Sequence, residues 1–289
     1  MTTTDKAAIL NEALPYLQRF RGKTFLIKIG GSAMDNEELL SALMRDIVFL
    51  EVAGINPILV HGGGKFISAA MEKSGLEARF VGGLRVTTPE AIAIVEETLG
   101  ATINPNLVDL IGQHGGRATG IPGTGVFQAT RISGVGDAGE AVDIGRVGKV
   151  ASCHTDDILY ALTSEIVPVV SPLGGEIGTG KTLNVNADLA AAALACTLKP
   201  AKLVYVSDVP GLLGDATDPE SLIASVTPGE AEDLIASGVI TGGMIPKIRS
   251  ALEALEAGVE KVHFIDGRIK HPLLLEIFTE KGIGTEIRR

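Results

Sequence analysis

Two hydrophobic periods alternate along the chain. From about Lys6 to Phe20, apolar Ile9, Leu10, Ala13, Leu14 and Leu17 recur on one helical face, which predicts a helix lying outside any sheet. The continuous apolar run TFLIKIGG then predicts a buried strand. It is followed by helix DNEELLSALMRDIVFLEVAG, strand PILVHGGG and a helix from about Lys65 to Lys73. Pro89 suits the first turn of the next helix. Shorter β segments follow in RATGIPG, VFQATRI and VDIGRVGKVASC, then helix DDILYALTSE and strand IVPVV. Beyond Ala187 come helix DLAAAALACTL, with Asn186 or Asp188 as N-cap, strand KLVYVSDV and a Gly/Asp/Pro-rich loop. Helices GEAEDLIASG and MIPKIRSALEALEAG, strand VHFIDG and helix PLLLEIFTEKG complete the order. This βα alternation predicts an α/β fold, a mainly parallel central sheet with helices on both faces. A boundary between two lobes is expected near Asp188 to Leu198, where the short β elements stop.

Composition sharpens the picture. At 289 residues the chain can build one large α/β domain or two lobes. Its formal charge of −10 argues against nucleic acid or an anionic membrane surface as a partner, so an anionic ligand must be held by local cations and backbone amides. The two cysteines, Cys153 and Cys196, lie in apolar runs and read as buried free thiols. No run reaches membrane-spanning length and the start lacks a signal-peptide pattern, so a soluble cytoplasmic protein is expected.

GEIGTGKT, Gly175 to Thr182, matches the phosphate-binding pattern G-x-x-x-x-G-K-[ST]. That pattern needs a helix opening at its Lys-Thr pair, yet the next segment is the β-branched LNVN and the helical pattern starts only at Asp188. A Gly-rich hairpin between IVPVV and LNVN is the better reading, with Lys181 exposed and dispensable.

Other residues carry more chemistry. In open α/β sheets, ligands bind beyond the carboxyl ends of the strands. IKIGG and VHGGG place glycines there, each ahead of a helix N-terminus, which suits an anion site. Lys28 interrupts an apolar strand; buried and unpaired it would be costly, so it faces either a negative ligand or the sheet edge. Lys247 follows a Gly-Gly pair near a helix start. Asn184, Asn186 and Asp188 alternate in LNVNAD, and on a strand they share one face. Arg85 in GGLRVTT is a candidate carboxylate clamp. Two lysines, glycine amides, an arginine and one acid, without a nucleophile–base order, suit phosphoryl transfer.

Taken in order and spacing, IKIGGSAM, VHGGG, GGLRVT, LNVNAD, VSDVPGLL, TGGMIPK and LLEIFTEKGIGT make the chain resemble the amino acid kinase family from Lys23 to Arg289. Within it, the pattern is similar to the branch that phosphorylates N-acetyl-L-glutamate in arginine biosynthesis. The resemblance implies an open αβα sandwich of two lobes: residues 23–187 for the acylated amino acid, and 188–289 for ATP carrying Mg2+, with no metal site of the protein's own. It implies that Lys28 and Lys247 stabilise the transferring phosphoryl group and that Asp188 orients them. Gly63, Gly64, Arg85, Asn184 and Asn186 would hold the substrate, and Gly30 and Gly31 would offer amides to phosphates. Ser207, Asp208, Val209, Gly211, Leu212 and Leu213, with Val239, Ile240, Thr241 and Met244, would line the nucleotide pocket.

Residues 1–22 resemble the N-terminal extension of arginine-inhibited hexameric members, which implies a homo-oligomer, dimer or hexamer. His263, Glu276 and Gly282 would then be contacts for feedback arginine. Three segments depart from the family pattern: PGTGVF after RATGI, Lys65 where proline is usual, and NPN in INPNLV. Acetylaminoadipate or a carrier-linked aminoadipate is an alternative substrate, differing by one methylene. Outside the kinases, a P-loop hydrolase using Lys181 and a ligand-binding subunit without activity are the other classes.

Overall fold

The computed structural model describes residues 3–136, 139–215 and 217–289; residues 1 and 2 of the expected N-terminal segment lie outside them. The predicted alternation folds into a mainly parallel eight-stranded sheet between helical layers. In spatial order its strands are Ser225–Val226, Thr285–Arg288, Lys261–Asp266, Lys202–Ser207, Thr24–Ile29, Asn56–His61, Val167–Val170 and Ala118–Ile121. The pairing of Thr285–Arg288 with Lys261–Asp266 is antiparallel. Thr24–Ile29, first in the chain, lies at the centre, with Lys202–Ser207 on one side and Asn56–His61 on the other. Strand order reverses at that point, and this is where a crevice opens in such sheets.

Alternation along the central strand decides what each face does. Phe25, Ile27 and Ile29 enter one apolar core with Leu43, Ile47, Leu99 and Ile103. Leu26 enters the other, with Ala190, Ala191, Leu194 and Ala195 of helix Ala187–Leu198. Lys28 shares the face of Leu26. The small side chains of this helix let it lie close against the sheet, which brings its first turn within reach of Lys28.

A second, smaller sheet closes into a barrel from Phe127–Arg131, Val147–Cys153, Leu173–Glu176 and Thr182–Val185. This corrects the expected hairpin. GEIGTGKT does turn the chain back into LNVN, but the partner strand is Leu173–Glu176; IVPVV stays in the main sheet. Pro172 stands between the two, and the amide of Val185 returns to its carbonyl at 3.2 Å, so the chain changes sheets before the hairpin begins. Lys181 is exposed, and the next helix starts at Ala187, too late to organise a phosphate loop around it.

LNVNAD is also not one strand. Pairing ends at Val185, and the Asn186 carboxamide accepts from the amides of Asp188 and Leu189, capping the helix. The sequence pattern missed the two C-terminal sheet strands Ser225–Val226 and Thr285–Arg288, and the last helix is only Pro272–Ile277. The helical stretch opening at Pro89 is interrupted by a π-helical segment, Glu97–Ile103, before Asn104–Gln113. Among the described residues no helix is long and apolar enough to cross a membrane.

Candidate active site

At the carboxyl ends of the two central strands lies a cleft of about 220 Å³. Lys28, Gly30, Gly31, Gly63, Gly64, Arg85, Asn184, Asn186 and Asp188, all predicted, line it together. Lys28 is 7 % exposed and sits mid-sheet, flanked by Val60 and Tyr205, which excludes the edge position. Its Nζ meets Asp188 Oδ1 at 2.7 Å, an ion pair outside hydrogen-bond angles that leaves Oδ1 with no other partner. Asp188 Oδ2 lies 3.7 Å from Nζ of Lys247, which reaches in from helix Met244–Ala257. Burial works against the Asp188 charge, but the two ammonium groups more than compensate and hold its carboxyl below the usual range.

Glycine at two positions leaves these charged side-chain ends where they are. A Cβ on Gly30 would fall 2.5 Å from Lys28 Nζ. Gly31 has φ +66°, and a Cβ there would lie 2.1 Å from Asp208 Oδ1, so the carboxylate closes directly over the backbone. Helix Gly64–Lys73 begins at the cleft wall, where its first amides lack intrahelical partners.

Arg85 is 8 % exposed and donates to Gly64 O at 2.7 Å and Ser68 Oγ at 2.8 Å, with its guanidinium over the Phe80 ring. Burial lowers its pKa, and among the described residues it forms no ion pair. Asn184 donates to Thr87 Oγ1, which itself donates to the Arg85 carbonyl, tying the barrel to the arginine.

Of the expected nucleotide residues, Gly30 and Gly31 line this cleft and the others lie outside it. Ser207 ends the strand beside Lys28's, its hydroxyl buried without a hydrogen-bond partner among the described residues. Asp208 and Val209 are exposed just beyond. A Cβ on Gly211 would lie 2.5 Å from Thr285 Oγ1, and the Leu212 amide donates to that same oxygen at 2.8 Å. Leu212 and Ile240 are core residues, Met244 packs against them, and Leu213 forms an isolated bridge with Leu222. Val239 is half-buried and Thr241 exposed at the mouth of helix Met244–Ala257.

The amino acid kinase family model matches residues 23–266. The chain belongs to the amino acid kinase family. A protein of Akkermansia muciniphila named acetylglutamate kinase is 62 % identical over 285 residues, covering 99 % of this chain and 96 % of that one. A solved N-acetylglutamate synthase of Neisseria gonorrhoeae, complexed with coenzyme A and N-acetyl-glutamate, superposes at TM-score 0.85 with 28 % identity. The same synthase complexed with coenzyme A and L-arginine gives 0.81 and 27 %. The chain spans about two thirds of the synthase, 63 % and 65 % in the two structures, while 98 % of this chain is covered in each.

His263, Glu276 and Gly282 come together in a different cavity, of about 620 Å³, beneath helix Thr3–Phe20, with Tyr16, Arg19 and Lys202. His263 Nδ1 lies 2.6 Å from Glu276 Oε1, and its Nε2 lies 2.8 Å from Lys202 Nζ. Lysine can only donate, so Nε2 accepts and Nδ1–H donates to the carboxylate. Burial lowers the His263 pKa and takes Lys202 down to about 8.

Sequence reasoning missed Leu99, Val147 and Phe80 among the lining residues, and His61 and Asn104 behind the glycines. His61 stands in VHGGG and could have been found there. Nothing in the pattern marked Leu99; Asn104 stood in the NPN departure, but the pattern did not tie it to the site, which both reach through the π-helical turn.

Proposed function

We propose that the protein is a cytoplasmic kinase that transfers the γ-phosphoryl group of ATP to the γ-carboxylate of N-acetyl-L-glutamate in arginine biosynthesis. One observation carries this reading: two lysines from opposite ends of the chain converge on Asp188 beside a glycine-walled cleft that also holds an arginine without an ion-pair partner among the described residues. The 62 % identical relative bears the matching name.

In this reading residues 23–187 hold the acylated amino acid and 188–289 the nucleotide. Arg85, with its planar donor fork, takes the α-carboxylate, and Gly63, Gly64, Asn184 and Asn186 complete the substrate's surroundings. The substrate's γ-carboxylate is ionised at neutral pH, so the protein needs no general base. Its oxygen attacks the γ-phosphorus while the bond to the β–γ bridging oxygen breaks, and ADP leaves with that electron pair. Lys28 and Lys247 neutralise the charge that gathers on the transferring group, and Asp188 sets their spacing. The Gly30 and Gly31 amides face the phosphates, and the partnerless Ser207 hydroxyl fits a nucleotide acceptor. Ser207 to Leu213, Val239 to Thr241 and Met244 form the surroundings of the base and ribose. Mg2+ enters as part of the nucleotide substrate and supplies charge neutralisation.

Two finer readings accompany it. The exposed apolar residues Ile9, Leu10 and Leu14 on helix Thr3–Phe20 suit a homo-oligomeric contact. The cavity holding His263, Glu276 and Gly282 suits L-arginine as inhibitor, its guanidinium facing Glu276; the related synthase was solved with L-arginine bound.

The test is an ATP-dependent acyl-phosphate assay on acetylglutamate, acetylaminoadipate, aspartate and glutamate. Acetylglutamate is the expected substrate, and Lys28→Ala and Lys247→Ala are expected to lower turnover far more than substrate affinity. Unchanged turnover in both variants would sink the proposal.

A further inference from the structure

The glycine loop of the cleft is gripped from behind by a single turn of irregular helix. Leu99 and Ile103 press on Gly63 so closely that a Cβ there would lie 2.6 Å from Leu99 Cδ2 and from Ile103 Cδ1. The next residue, Asn104, donates from Nδ2 to Val169 O at 2.9 Å and lies 3.2 Å from His61 Nε2. His61 is fully buried, and burial takes its pKa down to about 4, so the ring is neutral. Its Nε2 accepts from Asn104, and its Nδ1–H donates to Gly62 O at 2.9 Å. Residues 61 and 63 are thus held by positions 104, 99 and 103, and Gly62 through His61.

Ordinary helical geometry does not allow that grip. With 3.6 residues per turn, position i+5 points about 140° away from position i. In the wider i→i+5 turn adopted by Glu97–Ile103, positions i, i+4 and i+5 fall on one side. The extra residue bulges outward, where Gly100, Ala101 and Thr102 are exposed.

The gripped loop joins the two charged ends of the cleft. Gly62 N–H donates to Ile29 O at 2.8 Å, tying the loop to the strand that carries Lys28. Gly64 O accepts from Arg85 at 2.7 Å, tying the same loop to the arginine. The separation between Lys28 and Arg85 is therefore set through a loop held by the π-helical turn, and Leu99 lines the same cleft as both.

We propose that the π-helical turn Glu97–Ile103 is a chain-length ruler, with Leu99, Ile103 and Asn104 as positioning residues that make the cleft select the number of methylenes in an N-acyl amino dicarboxylic acid. This rests on the function proposed above. By holding Arg85 and Lys28 apart at one distance, the turn lets the α-carboxylate of a five-carbon acid sit on Arg85 while its γ-carboxylate reaches the phosphoryl group at Lys28, whereas the four- and six-carbon acids miss one end.

The experiment measures kcat and KM for N-acetylaspartate, N-acetylglutamate and N-acetylaminoadipate, with the thermal midpoint as a folding control, in the full-length wild type and in Leu99→Ala, Asn104→Leu and a deletion of Ala101. One methylene in a tight pocket is worth roughly ten- to two-hundredfold, and the wild type is expected to prefer N-acetylglutamate by that order. In Leu99→Ala and Asn104→Leu, the ratio of kcat/KM for N-acetylglutamate to that for N-acetylaminoadipate is expected to fall at least tenfold. The loss should appear mainly in KM for N-acetylglutamate, with KM for ATP within twofold of wild type. The deletion, which leaves room only for an α-helical turn, should fold with lower stability and show the same loss of selectivity. Folded point variants that keep the wild-type ratio within twofold would overturn the ruler while leaving the kinase reading intact. A wild type that phosphorylates none of the three acids would overturn both.

Discussion

His271 Nδ1 lies 2.6 Å from Asp46 Oδ1, joining the left-handed residue that starts helix Pro272–Ile277 to the middle of helix Glu37–Val52. The acid is fully buried, and burial raises its pKa from 3.8 to about 6 despite the hydrogen bond and charge of His271 and smaller contributions from the Leu273 and Leu274 amides. The folded state thus holds this proton more tightly than the unfolded one. Between pH 3.8 and about 6, this group makes stability fall as pH rises, and above that window its penalty is constant. The full difference is roughly 3 kcal/mol. Asp46→Asn removes the titration, so the stability difference between variant and wild type should move in the variant's favour from pH 4 to pH 7 and then level off. Denaturant midpoints across that range check it; a difference that does not change with pH would contradict the assignment.

Gly30→Ala separates folding from chemistry. The added methyl would lie 2.5 Å from Lys28 Nζ, the far end of a flexible side chain that can swing aside. Folding should survive with a loss of about 1 kcal/mol or less. The displaced ammonium leaves Asp188 and the path of the phosphoryl group, so turnover should drop at least tenfold. A variant with wild-type turnover would show that the position of Lys28 is not critical.

Lys181 tests the phosphate-loop pattern directly. Its backbone closes the hairpin through the Glu176 amide, while its side chain is exposed and reaches none of the cleft. Lys181→Ala should leave KM for ATP within twofold and stability within about 0.5 kcal/mol. Loss of nucleotide binding would revive the P-loop.

For the cavity beneath helix Thr3–Phe20, an L-arginine titration of the kinase activity should show inhibition. Glu276→Gln keeps the acceptor that meets the Ile283 and Gly284 amides but removes the charge. Hydrogen bonds to charged groups contribute about 1.5–3 kcal/mol, so the inhibition constant should weaken tenfold or more while uninhibited turnover persists. A flat titration of the wild type would remove the regulatory reading.

Much of the site was legible because its chemistry is tied to local patterns. Lys28 stands out as one cation in an apolar strand, and paired glycines at strand ends mark where a backbone must approach a ligand or a neighbour. Asn186 was legible as a cap for the same local reason. The shared strand face of Asn184, Asn186 and Asp188 was not, because capping the helix ended the strand at Val185, a competition between local structures that alternation alone does not resolve. GEIGTGKT misled for a related reason: its pattern specifies a loop, and the missing helix after Lys181 is what withdraws the phosphate site.

By itself the sequence determined the alternation of strands and helices, hence a mainly parallel sheet, and the residues that cannot be buried without a charged partner. Hydrophobic periodicity and the cost of an isolated buried charge are local quantities, so one chain is enough to read them. Only the tertiary structure decided which partners meet: that Asp188 lies between Lys28 and Lys247, that Thr285–Arg288 returns to the sheet, and that Leu99, Ile103 and Asn104 brace a loop some forty positions earlier (near Gly63). Such pairings depend on how whole elements pack, and a turn widened by one residue leaves no mark in periodicity while it redirects every side chain that follows.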